Sequence, residues 1–304
     1  MSPPATAAQV VPGSIGDPAR ATPRPLADTA RALATGARLG WAIESNWSDP
    51  LLFAIYSIVK PVGAALILVA IVWAIAGGGQ PGAIAFLVVG SAAWAYVGGG
   101  LLGLVGAILD DRERYRMLKY IAVSQAPFPA FLVGRSAAQL VIATAGFLVT
   151  LVMGVLFLGV RIDPFAVRWP LLVMSMAGGL VAIMAIGIAM AGFCLQLRQE
   201  AWSYPEALAG ALYLVSGTIF PIDVLPGALQ GVALALPTTW WLEGTRRALL
   251  GRPTAGRLAA CDDATVVLAL CATTAVLTLA GWAVFRFFER RARERGLIDQ
   301  TTGS

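Results

Sequence analysis

The stretch AIAFLVVGSAAWAYVGGGLLGLVGAIL, residues 83–109, carries no charge from end to end and then runs directly into Asp110-Asp-Arg-Glu-Arg-Tyr-Arg116. An uncharged run longer than the roughly 20 residues that cross a bilayer as helix reads as a membrane span, and the charge after it marks where the chain leaves the membrane. Working outward, the same reading predicts six crossings, at residues 51–76, 83–109, 131–159, 169–195, a short fifth at 202–220, and 264–288. Residues 221–263 are too interrupted by proline and glycine to form a seventh. The runs are continuously apolar, whereas the strands of a membrane barrel alternate, so the fold class is all-α and polytopic.

Composition agrees: 58% of the residues are hydrophobic and 13% charged, with a net charge of +5. Arginine and lysine collect on one side of the predicted spans, at Arg31, Arg38, Arg112, Arg114, Arg116, Lys119, Arg135, Arg198, Arg286, Arg290 and Arg291 among others. That bias places both termini in the cytoplasm. An anionic inner leaflet accounts for the positive charge, and no nucleic-acid partner is called for.

Several chemistries are excluded by residue type. There is no histidine, which removes histidine acid–base catalysis and most zinc sites. Cys194, Cys261 and Cys271 form no ligand spacing and read as packing residues. The two lysines, Lys60 and Lys119, both lack a preceding glycine, so no phosphate-cradling P-loop exists in the chain.

Residues 1–25 are rich in proline and poor in large apolar side chains and read as a disordered cytoplasmic tail; without an apolar core region they are no signal peptide. From 26 to 47 the pattern becomes an interfacial helix, with Asp28, Arg31, Thr35 and Arg38 on one face and Leu26, Leu33, Ala37, Trp41 and Trp47 elsewhere. A membrane domain then occupies 26–290, and 291–304 is a second cytoplasmic tail. Asp110 to Lys119 carries helix-supporting charge pairs, while Tyr115, Leu118 and Ala122 line one side, predicting a helix with something apolar to cover until Pro127 and Pro129 end it.

Taken together, DRERYRMLKYIAVS at 111–124 with Ala126-Pro127 and Gly134-Arg135, then SGTIFP at 216–221 with Leu225-Pro226, Leu236-Pro237 and LEGTR at 242–246, resemble the permease subunits of ABC-2-type exporters. Asp49-Pro50-Leu-Leu-Phe53 and Pro61 fit the first span of that family. The resemblance implies a type V exporter-like fold with an amphipathic connecting helix and outer re-entrant helices between spans five and six. It implies a dimer of permease chains, homodimeric or paired with a homologue, in a bacterial plasma membrane, each resting on a separate ABC ATPase that would carry ATP and magnesium. No cofactor is then expected in this chain, and no enzymatic activity of its own. On that basis Arg112, Glu113, Arg114, Tyr115, Leu118 and Lys119 form the ATPase-coupling helix, and Phe220, Pro221, Trp240 and Trp241 belong to the outer gate.

Three further positions are read from the residues themselves. Gly99-x-x-x-Gly103 with Ala107 makes a small-residue stripe for close helix packing. Lys60 lies about 14 Å into the first span at the helical rise, where it contacts an anionic substrate or lipid, or else snorkels to the headgroups. Trp240 and Trp241 suit the headgroup zone, with lining of the exit as the alternative. The competing functions are an ion-coupled secondary carrier, which would want carboxylates within the spans, and a non-transporting membrane scaffold. An apolar path with few acids favours a hydrophobic or amphiphilic substrate such as a drug, lipid or glycoconjugate.

Overall fold

A computed structural model describes residues 25–45, 81–123, 127–197, 201–253 and 256–295, with a few single positions between 59 and 74. Apart from those positions the predicted first span, Lys60 included, lies outside the described residues. Everything described is helix or connection, with no strand among the described residues. The helices are α1 (Pro25–Glu44), α2 (Pro81–Val97), α3 (Gly103–Glu113), α4 (Leu118–Val123), α5 (Phe128–Arg135), α6 (Ala137–Phe157), α7 (Trp169–Cys194), α8 (Ser203–Val215), α9 (Gly227–Ala235), α10 (Pro237–Leu250) and α11 (Asp263–Glu294).

Four continuous helical stretches are long and apolar enough to cross a membrane: Gly82–Glu113, Phe128–Phe157, Trp169–Cys194 and Asp263–Glu294. The predicted fifth crossing is shorter than expected. Helix α8 has 13 residues, about 20 Å at the helical rise, and ends before Gly217, whose φ of 73° is left-handed.

Packing fixes the directions. Val88 lies against Gly154 and the Gln139 carbonyl against Gly99, so α6 runs antiparallel to α2 and α3. Leu270 lies against Gly178 and Phe285 against Gly192, so α7 and α11 run side by side in the same direction. Trp202 covers Gly106 and Tyr213 stacks on Trp94, which sets α8 antiparallel to α2 and α3. Two poles result: one carries α1, α5, the end of α3 and the last turns of α7 and α11; the other carries α9, α10 and the loop before α7.

Residues Gly98–Leu102 form a π-helical turn between α2 and α3. A Cβ on Gly99 would lie 2.7 Å from the Gln139 carbonyl oxygen, and one on Gly103 would lie 3.0 Å from the Gln139 side chain. The stripe of small residues is therefore filled by α6 of the same chain. The widened turn accommodates three consecutive glycines that would support an ordinary helix poorly. Leu101, Leu104, Ile108, Ile183, Trp241 and Phe285 form the fully buried centre, while large apolar side chains on the outer faces of α6, α7 and α11 stay exposed, as a lipid-facing surface requires.

The amphipathic reading of α1 is met as helix, but its contact face differs from the expected one. Ala32, Gly36 and Gly40 are buried at a spacing of four, whereas Leu26 and Trp41 are exposed. A Cβ on Gly36 would sit 2.3 Å from the Phe131 carbonyl oxygen, and one on Gly134 would sit 2.2 Å from that of Leu33. Helices α1 and α5 thus cross backbone to backbone, a contact open only to residues without a side chain. Gly134→Leu is expected to force the two helices apart at a cost of roughly 1–3 kcal/mol. The checks are a lower unfolding temperature and faster tryptic cleavage after Arg31 and Arg38, both on α1.

Candidate functional site

At the α1 pole, the predicted single helix from Asp110 to Pro127 is two helices. α3 ends at Glu113, and the backbone unwinds through Tyr115 N–H to the Asp110 carbonyl and Met117 N–H to the Asp111 carbonyl, both at 2.9 Å. Arg116 then takes a left-handed φ of 50° before α4 begins. The unwinding lets Leu118 turn into the core, where it is 1% exposed.

The six residues expected to form a coupling face therefore divide. Arg112 is buried, donating from Nη1 to the carbonyls of Cys194 at 3.3 Å and Leu197 at 3.0 Å, and from Nη2 to Glu113 Oε1 at 2.9 Å. It ties the end of α3 to the end of α7, whose last carbonyls have no helical partner and need donors. Leu118 is likewise turned inward. Glu113 and Tyr115 are half-buried, Arg114 is exposed with its guanidinium 5.6 Å from the Tyr115 ring, and Arg116 and Tyr120 are exposed beside them. For Lys119 the described structure extends only to its place in α4. The outward surface of the segment is made by Glu113, Arg114, Tyr115, Arg116 and Tyr120.

Beneath that surface lies a pair that sequence reading did not single out. Asp111 is fully buried and Arg135 nearly so, and Arg135 Nη2 comes to 3.7 Å from Asp111 Oδ1, an ion pair too long to be a hydrogen bond. The pair joins α3 to α5, directly beside the α1 crossing. The signal available was Gly134-Arg135: a glycine for close approach followed by a charge within an apolar run.

The other pole is built around α10, buried from Pro237 to Leu249. Both tryptophans were expected in the headgroup zone, with lining of the exit as the alternative; the structure buries both within the protein. Trp241 is wholly buried, its indole lying where a Cβ on Gly179 would be and its Nε1–H directed to Met176 Sδ at 3.4 Å; Trp240 Nε1 donates to the Leu234 carbonyl at 2.8 Å. The helix sinks this far because Gly179 opens a notch in α7 and Gly244 sets the α10 backbone against Ser175.

The run Leu242-Glu-Gly-Thr-Arg246 thereby acquires a physical account. Arg246 stacks its guanidinium 3.5 Å from the Phe86 ring centre and donates from Nη2 to the carbonyls of Gly217 and Thr218, each at 2.9 Å. This one side chain joins α10, the start of α2 and the turn after α8. Arg247 donates to Glu243 Oε1 at 2.6 Å, the Cys261 carbonyl at 2.8 Å, the Leu258 carbonyl at 2.5 Å and Asp263 Oδ1 at 3.2 Å. Asp263 also pairs with Arg168, which donates to the Arg247 carbonyl at 3.0 Å. Next to it, Asp262 caps α11: the Thr265 hydroxyl and N–H hold its carboxyl below the usual range, so the cap persists until the pH falls through that lowered value.

Between α10 and the turn after α8 lies a narrow cleft with about 10 Å³ of free volume, room for about one water, lined by Phe86, Ser216, Pro221, Thr239, Glu243 and Arg246 among others. That is below the roughly 300–1,000 Å³ of pockets that enclose drug-sized ligands. Of the four gate residues named from sequence, Pro221 lines the cleft; Phe220 is half-buried nearby, and the tryptophans pack on the far side of α10. Arg246, Arg247 and Glu243 organise this pole; Arg246 was missed because Phe86, Gly217 and Thr218 are distant in sequence, and the Glu243–Arg247 pair because its spacing is that of an ordinary exposed helical pair.

A bundle with four apolar spanning helices, lipid-facing outer surfaces and buried ion pairs at each pole is a multi-pass α-helical membrane protein. The chain belongs to the ABC-2 type transporter family, whose sequence pattern matches residues 39–250, from within α1 to the end of α10. No curated protein matches it. Members of this family are transmembrane components of ABC transporters, generally non-catalytic and generally paired with an ABC ATPase.

Proposed function

We propose that the chain is the permease subunit of an ATP-driven exporter, forming one half of a transmembrane path and coupling it to a separate ATPase that holds ATP and magnesium. The observation that carries this reading is the construction of the α1 pole. An amphipathic helix crosses α5 backbone to backbone, beside a charged segment that Arg112 bolts to α7 and whose outer face presents exposed Arg114 and Arg116. A push on Arg114, Tyr115 and Arg116 would pass through α3 and α7 along the bundle. On this account six helices cross the membrane, both termini are cytoplasmic in a bacterial plasma membrane, and two such chains assemble. The α9–α10 hairpin is the outer re-entrant element, and Pro221 and Phe220 stand at its gate.

Ion coupling fits less well. Each buried carboxylate among the described residues has an arginine partner: Asp111 with Arg135, Glu243 with Arg247 and Glu289 with Arg293. Glu243 and Glu289, each hydrogen-bonded by its arginine, are poor carriers of protons or sodium. The scarcity of acids within the apolar spans supports a hydrophobic or amphiphilic substrate. Lys60 is proposed to meet that path or an anionic lipid head at the inner end of the first span; Lys60→Met would then change substrate preference while leaving insertion intact. Reconstitution with an ABC ATPase in sealed vesicles tests the whole reading: ATP-dependent movement of an amphiphilic dye supports it, and movement on an ion gradient without the ATPase contradicts it.

A further inference from the structure

The outward face of α11 carries one continuous ridge that ends in paired cations. Leu268, Val276, Leu279, Ala283, Arg286 and Arg290 follow each other at steps of three, four or eight, so they share a face, and all are exposed. The inward side of the same turns is already engaged. Phe285 packs on α7, the Phe288 carbonyl accepts from Gln196 Nε2 at 2.8 Å, and Glu289 pairs with Arg293 at 2.8 Å. Arg286, Arg290 and Arg291 flank a groove with Ala283, Phe287 and Glu294, the last its only carboxylate. Two of these cations are placed by rings on their own helix: the Arg286 guanidinium lies 5.5 Å from the Trp282 ring and that of Arg291 6.0 Å from the Phe287 ring. Such stacking holds a guanidinium at the level of the aromatic belt, where phosphates lie.

We propose that this end of α11 binds one anionic phospholipid, its phosphate held between Arg286 and Arg290 with Arg291 alongside, and an acyl chain lying along Leu279 and Val276. Two features favour a lipid over a second copy of the chain. From Arg286 back to Val276 the helix rises about 15 Å, half of the roughly 30 Å hydrocarbon core and so the depth of one leaflet. Two copies related by an axis along the membrane normal would also set Arg286 and Arg290 against their own counterparts, like charge on like charge. The site requires only that α11 spans the membrane; it stands whether or not the transport reading does.

The test is native mass spectrometry of the full chain in detergent, titrated with phosphatidylglycerol or phosphatidylcholine. The unchanged chain is expected to retain phosphatidylglycerol preferentially. Arg286→Gln with Arg290→Gln is expected to weaken that preference by about fivefold for each cation removed, while Arg38→Gln with Arg295→Gln, of equal net charge, keeps it. Each substitution lies on an exposed face, and matching thermal unfolding in phosphatidylcholine confirms the fold. An unaltered preference in the first double variant overturns the proposal. So does equal thermal stabilisation by inorganic phosphate, which would mean a bare anion site. Conversion of a dimer to monomers by Leu279→Arg would assign the ridge to a second copy and overturn it as well.

Discussion

Arg247→Ala is expected to destabilise the chain by about 3–5 kcal/mol, the usual cost of breaking a buried ion pair from one side. The guanidinium is 2% exposed and serves Glu243, Asp263 and the carbonyls of Leu258 and Cys261. Removing it takes the arginine from the buried Glu243 carboxylate and strips donors from two carbonyls at once. It also unfastens α10 from the start of α11, so the damage should spread to the hairpin. Arg247→Lys should fall between, because a single ammonium cannot reproduce the planar fork that reaches four acceptors. Thermal or denaturant unfolding followed by tryptophan emission reports it well, since Trp240 and Trp241 are buried on the same helix. A loss below about 1 kcal/mol, typical of an exposed pair, would mean that the network does not hold the hairpin.

Reversing the exposed cations at the other pole, by Arg114→Glu with Arg116→Glu, is expected to leave the chain inserted and stable but to weaken assembly with the ATPase by about tenfold or more, as misplaced charge at an interface costs several kcal/mol. Both side chains are exposed, so the fold has little to lose. Glu113 is the wrong residue to reverse, because it accepts from Arg112 at 2.9 Å and a cation there would disturb the tie to α7. Leu118→Asp is uninformative for the same reason, as it would place a charge in the core. The pair of variants separates two routes to lost transport: Arg112→Ala should break transmission while assembly persists, whereas the double reversal should break assembly itself. ATPase retained on an affinity-tagged permease measures one, and hydrolysis that continues without transport measures the other.

Hydropathy made the helical class legible, along with four of the spanning stretches and the alternation of charge between poles. It reads which segments prefer lipid, and that preference is local. What it could not read was depth and facing. Trp240 and Trp241 lie in the first turns of a mixed helix that opens at Pro237, a pattern shared by headgroup anchors, and only Gly179 and Gly244 reveal that α10 sinks into the bundle. Those two glycines lie 65 residues apart in sequence. Helix α1 was recognised from its charges, but its contact face is Ala32, Gly36 and Gly40, where small residues let it meet α5 backbone to backbone while Leu26 and Trp41 stay exposed. The coupling segment looked like one helix since each charge pair was favourable. The left-handed Arg116 breaks it, and nothing in an arginine announces that conformation. Arg112 and Asp111 carry the same charges as their less buried neighbours, so their burial follows only from the carbonyls and the cation that meet them.

The most direct test of the central claim is to co-purify the chain with its candidate ABC ATPase and compare hydrolysis and transport in vesicles with those of each part alone. The expected result is that the chain alone binds no nucleotide, that hydrolysis by the ATPase rises on assembly, and that transport requires both subunits and ATP. Transport by the chain alone on a proton or sodium gradient, unaffected by ATP, would contradict it.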